Sequence, residues 1–133
     1  MSLPAGRLRR LGVLLLWLAS LALVVAATLK PHFRVAPPSS DVDKVYHFLA
    51  YCWLAGLALV GWGGRWAVVL ALLLVPLGGG LEWLQGFVPG RTASTLDFLA
   101  NSLGICAGFA LHGVRQGLAE GRAHAARKAR GES

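Results

Sequence analysis

WAVVLALLLVPLGGGLEWLQ, Trp66 to Gln85, decides how this chain folds. The block is apolar until Glu82. At about 1.5 Å of rise per residue its length spans roughly 30 Å, the thickness of a bilayer's hydrocarbon core. A segment crossing that core must pair its backbone groups internally, which a helix does. Three further blocks of similar length flank it: Leu11 to Leu29, about Val45 to Trp62, and about Leu96 to Val114. Of 133 residues, 56% are hydrophobic and only 14% charged, against about 25% charged in an ordinary soluble domain. The expected fold is all-α: an integral membrane bundle of four transmembrane helices forming one domain, 1–114. The helices are placed at about 8–29, 44–62, 66–85 and 96–114, with a basic tail at 115–133.

Charge sets the orientation. The net charge is +7, from 13 Lys and Arg against 6 Asp and Glu. With the N-terminus inside, nine of those 13 cations fall on inner segments and four (Lys30, Arg34, Lys44 and Arg91) on outer ones. Cytoplasmic loops carry the excess of Lys and Arg, so N-in/C-in is expected, in the plasma (inner) membrane. Phe33, Trp62, Trp66, Trp83 and Phe87 sit near block ends, where an interfacial aromatic belt would place them. Arg7, Arg9 and Arg10 before the first block also fit a signal peptide cleaved near Val25-Ala26-Ala27. That block exceeds the usual signal core of about 7–15 residues, so a retained helix is the reading taken. The tail is basic and poor in bulky apolar residues, which suits anionic lipid headgroups. It lacks the interleaved aromatics of a nucleic-acid module, so no nucleic-acid partner is expected. Cys52 and Cys106 have no metal-type spacing and read as small buried apolar residues.

This topology gathers the polar residues at the outer ends of helices two, three and four. Asp43 and His47 are four apart on one helical face, with Tyr51 a turn deeper; Asp97 and Asn101 repeat the spacing. Gly104 and Gly108 continue that second stripe, a small-xxx-small surface suited to close helix approach or a homo-oligomer. Glu82 is an intramembrane carboxylate, which is expensive unless paired or solvated. Lys44, His47 and Arg91 are the cations available to it, and Gln85 lies a turn further on. Ser40-x-x-Asp43 and Ser94-x-x-Asp97 read as helix caps. Ser40-x-x-Asp-x-x-x-His47 and Ser94-x-x-Asp-x-x-x-Asn101 form an internal echo, as parallel helix repeats would. Pro76 and Gly78-Gly79-Gly80 offer a kink that would re-aim Glu82.

Taken together, D-K-x-x-H-F (Asp43, Lys44, His47, Phe48), E-x-x-Q (Glu82, Gln85), P-G-R (Pro89 to Arg91) and D-x-x-x-N-x-x-G (Asp97, Asn101, Gly104) resemble the VanZ-like family. These are small polytopic membrane proteins named for one linked to teicoplanin resistance. The resemblance covers roughly Asp43 to Gly108 and implies a cell-envelope setting; it brings no mechanism.

The expected function is an outward-facing polar site for an envelope ligand: a membrane lipid, a cell-wall lipid intermediate or a glycopeptide. Arg91, Lys44 and His47 would meet phosphate. Asp43, Glu82, Gln85, Asp97 and Asn101 would accept donors, with Tyr51 in the wall. The alternatives are a membrane-embedded hydrolase or transferase using His47 with Glu82 and Asp97, and a structural or partner protein. With no H-E-x-x-H spacing and no evident nucleophile, neither a metal nor a cofactor is expected, although His47, Glu82 and Asp97 are of the types that supply nitrogen and oxygen ligands.

Overall fold

The computed structural model describes residues 5–31, 41–62 and 64–131. These form four helices and, among the described residues, no strand: α1 (Ala5–Leu29), α2 (Asp41–Gly61), α3 (Gly64–Gln85) and α4 (Thr95–Ala129). Three of them, α1 from Gly6, α2 and α3, are long and apolar enough to cross a membrane. The chain is thus all-helical and consistent with a multi-pass membrane protein.

Side-chain contacts fix the helix directions. Trp17 Nε1 donates to the Leu54 carbonyl at 3.0 Å and Trp53 Nε1 to Ser20 Oγ at 3.1 Å. Gln85 Nε2 reaches the Thr28 carbonyl at 3.3 Å. So α1 runs antiparallel to α2 and alongside α3. Gly64, at φ 57°, lies in the left-handed region where glycine suffers no Cβ clash, and lets α3 turn back along α2. Next to α2, α4 runs parallel: His47 meets Asn101, Phe48 meets Gly104, and Cys52 and Ala55 meet Gly108. The α2–α4 pair is the most extensive interface, and α1 packs on α2 and α3 but not on α4. All four helices therefore contribute to one end of the bundle, where α1 and α3 finish and α2 and α4 begin.

Burial is inverted relative to a soluble domain. Glu82, Asp97 and Asn101 are 5%, 3% and 2% exposed, whereas Leu23, Leu103 and Leu111 are 69%, 62% and 63% exposed. An exposed apolar mantle of this extent marks a surface meant for something other than water. The buried apolar core is small-residue rich: Ala55, Ala58, Ala67 and Ala71 let the helices close around Tyr51, Leu54 and Leu74. Gly104 and Gly108 also serve this closeness. Both are buried against α2 within the chain, so the stripe that suited a second copy is used internally.

Several expectations shift. The fourth helix does not end near Val114 but continues to Ala129, with residues 113–131 exposed throughout. Arg127 and Lys128 in its last turn complement the negative end of the helix dipole. The helix α3 is unbroken through Pro76. Cys106 is exposed and Cys52 half-buried, rather than both being buried. Trp66, Trp83 and Phe87 are exposed near helix ends, whereas Trp62 packs edge-on against Trp17 at 5.7 Å. Phe33 and the Ser40 cap lie outside the described residues.

The second cap is present. Ser94 is extended at the N-cap of α4, and its Oγ accepts the Asp97 N–H at 3.3 Å. Ser94→Ala is expected to destabilise the bundle by about 1 kcal/mol, the usual value of an N-cap hydroxyl. Thermal unfolding in detergent measures it, with Ser94→Asp expected to restore the loss.

Candidate functional site

The polar end is built in two layers, with His47 between them. The deeper layer is Glu82, Asp97 and Asn101, all buried. His47 Nδ1 lies 3.0 Å from Asn101 Oδ1 and 3.6 Å from Glu82 Oε1. An amide oxygen and a carboxylate only accept hydrogen bonds. With the Asn101 amide oxygen facing the ring, a proton on Nδ1 satisfies this contact and the lone pair falls on Nε2. Glu82 Oε2 accepts the Ser94 backbone N–H at 3.4 Å. In a capping box that N–H would be met from within its own helix. Here α3 supplies the acceptor and ties itself to the start of α4.

Two carboxylate oxygens of this layer, Glu82 Oε1 and Asp97 Oδ1, are buried without a hydrogen-bond partner. A buried polar atom left in that condition is costly and unusual. Asp43, His47 and Asp97 each present a ligand-type atom within 4.8 Å of the other two. Each echoed position of α2 thus meets its counterpart on α4: Asp43 with Asp97, and His47 with Asn101. The parallel run of the two helices is what brings the echo together.

The outer layer is a cavity of about 100 Å³ whose polar walls include Asp43, Tyr46, His47, Tyr51, Gln85 and Arg91. The last turns of α1 close it through Ala27 and Thr28. Val88-Pro89-Gly90-Arg91 forms a tight turn: Arg91 N–H bonds the Val88 carbonyl at 3.0 Å, with Gly90 at φ 77°. Proline second and glycine third is the pattern of a type II turn. It delivers Arg91 Nη2 to the Ala27 carbonyl at 2.7 Å. Gln85 reaches the next carbonyl, Thr28. Both side chains thereby satisfy carbonyls that the end of α1 would otherwise leave unpaired.

The structure brings together Asp43, His47, Tyr51, Glu82, Gln85, Arg91, Asp97 and Asn101. Lys44 is set apart: its Nζ pairs with the fully exposed Asp41 at 3.3 Å, away from the cavity wall. Glu82, Asp97 and Asn101 stand behind His47 instead of lining the cavity. Sequence reasoning missed Thr28 and Ser94 as Glu82's partner, and placed Tyr46 at the outer end of α2 without assigning it to the site. Thr28 had one available signal, a hydroxyl in the last turn of a block whose one other hydroxyl is Ser20.

No family model, curated protein or solved structure matches the chain.

Proposed function

We propose that the chain is a multi-pass plasma-membrane protein of the VanZ-like family whose polar site faces outward and holds the phosphate of an envelope lipid headgroup. The observation that carries this reading is the cavity lined by Arg91, His47 and Asp43 at the mouth of an apolar bundle. The cavity, of about 100 Å³, has room for several waters. A phosphate-sized group fits within it. The Arg91 guanidinium brings a planar, permanently charged fork of the kind that matches phosphate.

The same proposal includes a fourth span and N-in/C-in orientation. Residues 97–108 of α4 pack parallel to α2, so whatever slab holds α2 holds them too. The exposed extension beyond His112 carries Arg115, Arg122, Arg127, Lys128 and Arg130, which favours the inner side and contact with anionic headgroups. A general-base role for His47, backed by Glu82, would make the protein a hydrolase or transferase of the same ligand.

Lipids co-purifying with wild type, Arg91→Ala and Arg91→Lys can be identified by mass spectrometry. Wild type is expected to carry a phosphate-bearing lipid, Arg91→Ala at least tenfold less, and Arg91→Lys an intermediate amount, because lysine keeps the charge but not the planar fork. Equal profiles for folded wild type and Arg91→Ala would remove the reading.

A further inference from the structure

We infer that Asp43, His47 and Asp97 form a binding site for a first-row divalent cation, Zn²⁺ or Mn²⁺, at the junction of the two polar layers. The inference concerns the site just described and rests on that reading only for what the ion would hold.

Three observations converge. The candidate ligand atoms lie within 4.8 Å of one another. Three ligands on a tetrahedral ion with bonds of about 2.1 Å stand about 3.4 Å apart, so modest side-chain rotations close the set. Asp97 is 3% exposed and its Oδ1 has no hydrogen-bond partner. A carboxylate oxygen in that position is either a standing cost or a ligand. His47 also has an orienting partner: Asn101 Oδ1 lies 3.0 Å from Nδ1, an acceptor that would hold a proton there and leave the Nε2 lone pair for coordination. Metal-bound histidines are oriented in this way by an acceptor on the opposite ring nitrogen. Glu82 Oε1 stands 3.6 Å from the same Nδ1, beyond hydrogen-bond length, and adds negative charge beside the ring.

The donor set selects the ion. One imidazole and two carboxylates suit Zn²⁺ or Mn²⁺ over Mg²⁺ or Ca²⁺, which prefer oxygen alone. The ion also resolves a difficulty in the headgroup reading. Asp43, Asp97 and Glu82 would repel a phosphate, whereas a dication held by the aspartates attracts it. The sequence offered His47 and Asp97 as ligand types beside Glu82; the geometry puts Asp43 in place of Glu82.

The test uses the purified full chain in lipid-free detergent, stripped with chelator and titrated separately with Zn²⁺ and Mn²⁺. Binding is followed by calorimetry and, for Mn²⁺, by electron paramagnetic resonance. Wild type is expected to take up one ion per chain and to unfold at a higher temperature when loaded. Asp43→Asn and Asp97→Asn should each weaken binding at least tenfold. Asn101→Ala, which removes the group orienting His47, should weaken it about 10- to 100-fold. His112→Ala and His124→Ala, remote from the site, should change nothing. Asp43 is half-buried at the rim, so its variant remains informative if Asp97→Asn fails to fold. No uptake by wild type, or full uptake by both aspartate variants, would overturn the inference. If uptake fails while Arg91-dependent lipid binding persists, the cation site falls alone; uptake without bound lipid removes the headgroup reading and keeps the ion.

Discussion

Gly104→Leu is expected to abolish the folded bundle, and Gly104→Ala to lower its stability by roughly 1–3 kcal/mol, the range for overpacking a close interface. A Cβ at position 104 would run into the Phe48 carbonyl and stand 3.1 Å from the Cys52 nitrogen. Both are backbone atoms of α2 and cannot rotate away. Helix propensity argues the other way, since alanine is favoured over glycine by about 1 kcal/mol in a helix interior. The sign of the effect therefore separates the two. Gly113→Ala is the control: nothing lies within 4 Å of a Cβ there, so propensity acts alone and the variant should be neutral or slightly more stable. Thermal unfolding in detergent, followed by circular dichroism, reads both. Matching melts for Gly104→Ala and Gly113→Ala would mean that α2 and α4 do not approach as closely as described.

Glu82→Ala carries the second large effect. Its side chain is buried and does two jobs: Oε2 accepts the Ser94 N–H that begins α4, and Oε1 faces His47. Truncation leaves the N–H without its acceptor and opens a cavity beneath His47. Together these cost about 3 kcal/mol. Glu82→Gln keeps a carbonyl oxygen for Ser94 and nearly the same volume, so most stability should return. What glutamine does not restore is the carboxylate beside His47 Nδ1. Divalent-ion uptake and lipid retention should therefore remain reduced in Glu82→Gln, although the protein is folded. If both variants melt like wild type, Glu82 is not the tie between α3 and α4.

Much of this end of the molecule was legible in the sequence because helix geometry is periodic. Asp43, His47 and Tyr51 had to share a face, as did Asp97, Asn101, Gly104 and Gly108, and the glycine stripe announced a close approach. The spacing could not say which helix would fill it; α2 does. Nor could it give the rotation of each helix about its own axis. Lys44, one residue from Asp43, consequently turns to Asp41 instead of the cavity. The closure by Ala27 and Thr28 was hidden for another reason: the groups that bind there are backbone carbonyls, which no residue type advertises. Glu82's role was half visible. An intramembrane carboxylate demands a partner, but that partner includes the Ser94 backbone N–H, whose availability depends on where α4 begins. The length of α4 was misjudged because its last turns are held by propensity and end charges, with no apolar face to reveal them.

The headgroup role requires that the polar end of the bundle open outside the cell. Labelling with a membrane-impermeant maleimide tests that placement directly. In a Cys52→Ala, Cys106→Ala background, single cysteines would be placed at Thr92, in the exposed turn beside Arg91, and at Gly117, on the exposed extension of α4. The proposed topology predicts that Thr92→Cys is labelled in intact cells and Gly117→Cys only after the membrane is permeabilised. Labelling of Gly117→Cys in intact cells, with Thr92→Cys protected until permeabilisation, would turn the site inward and contradict it.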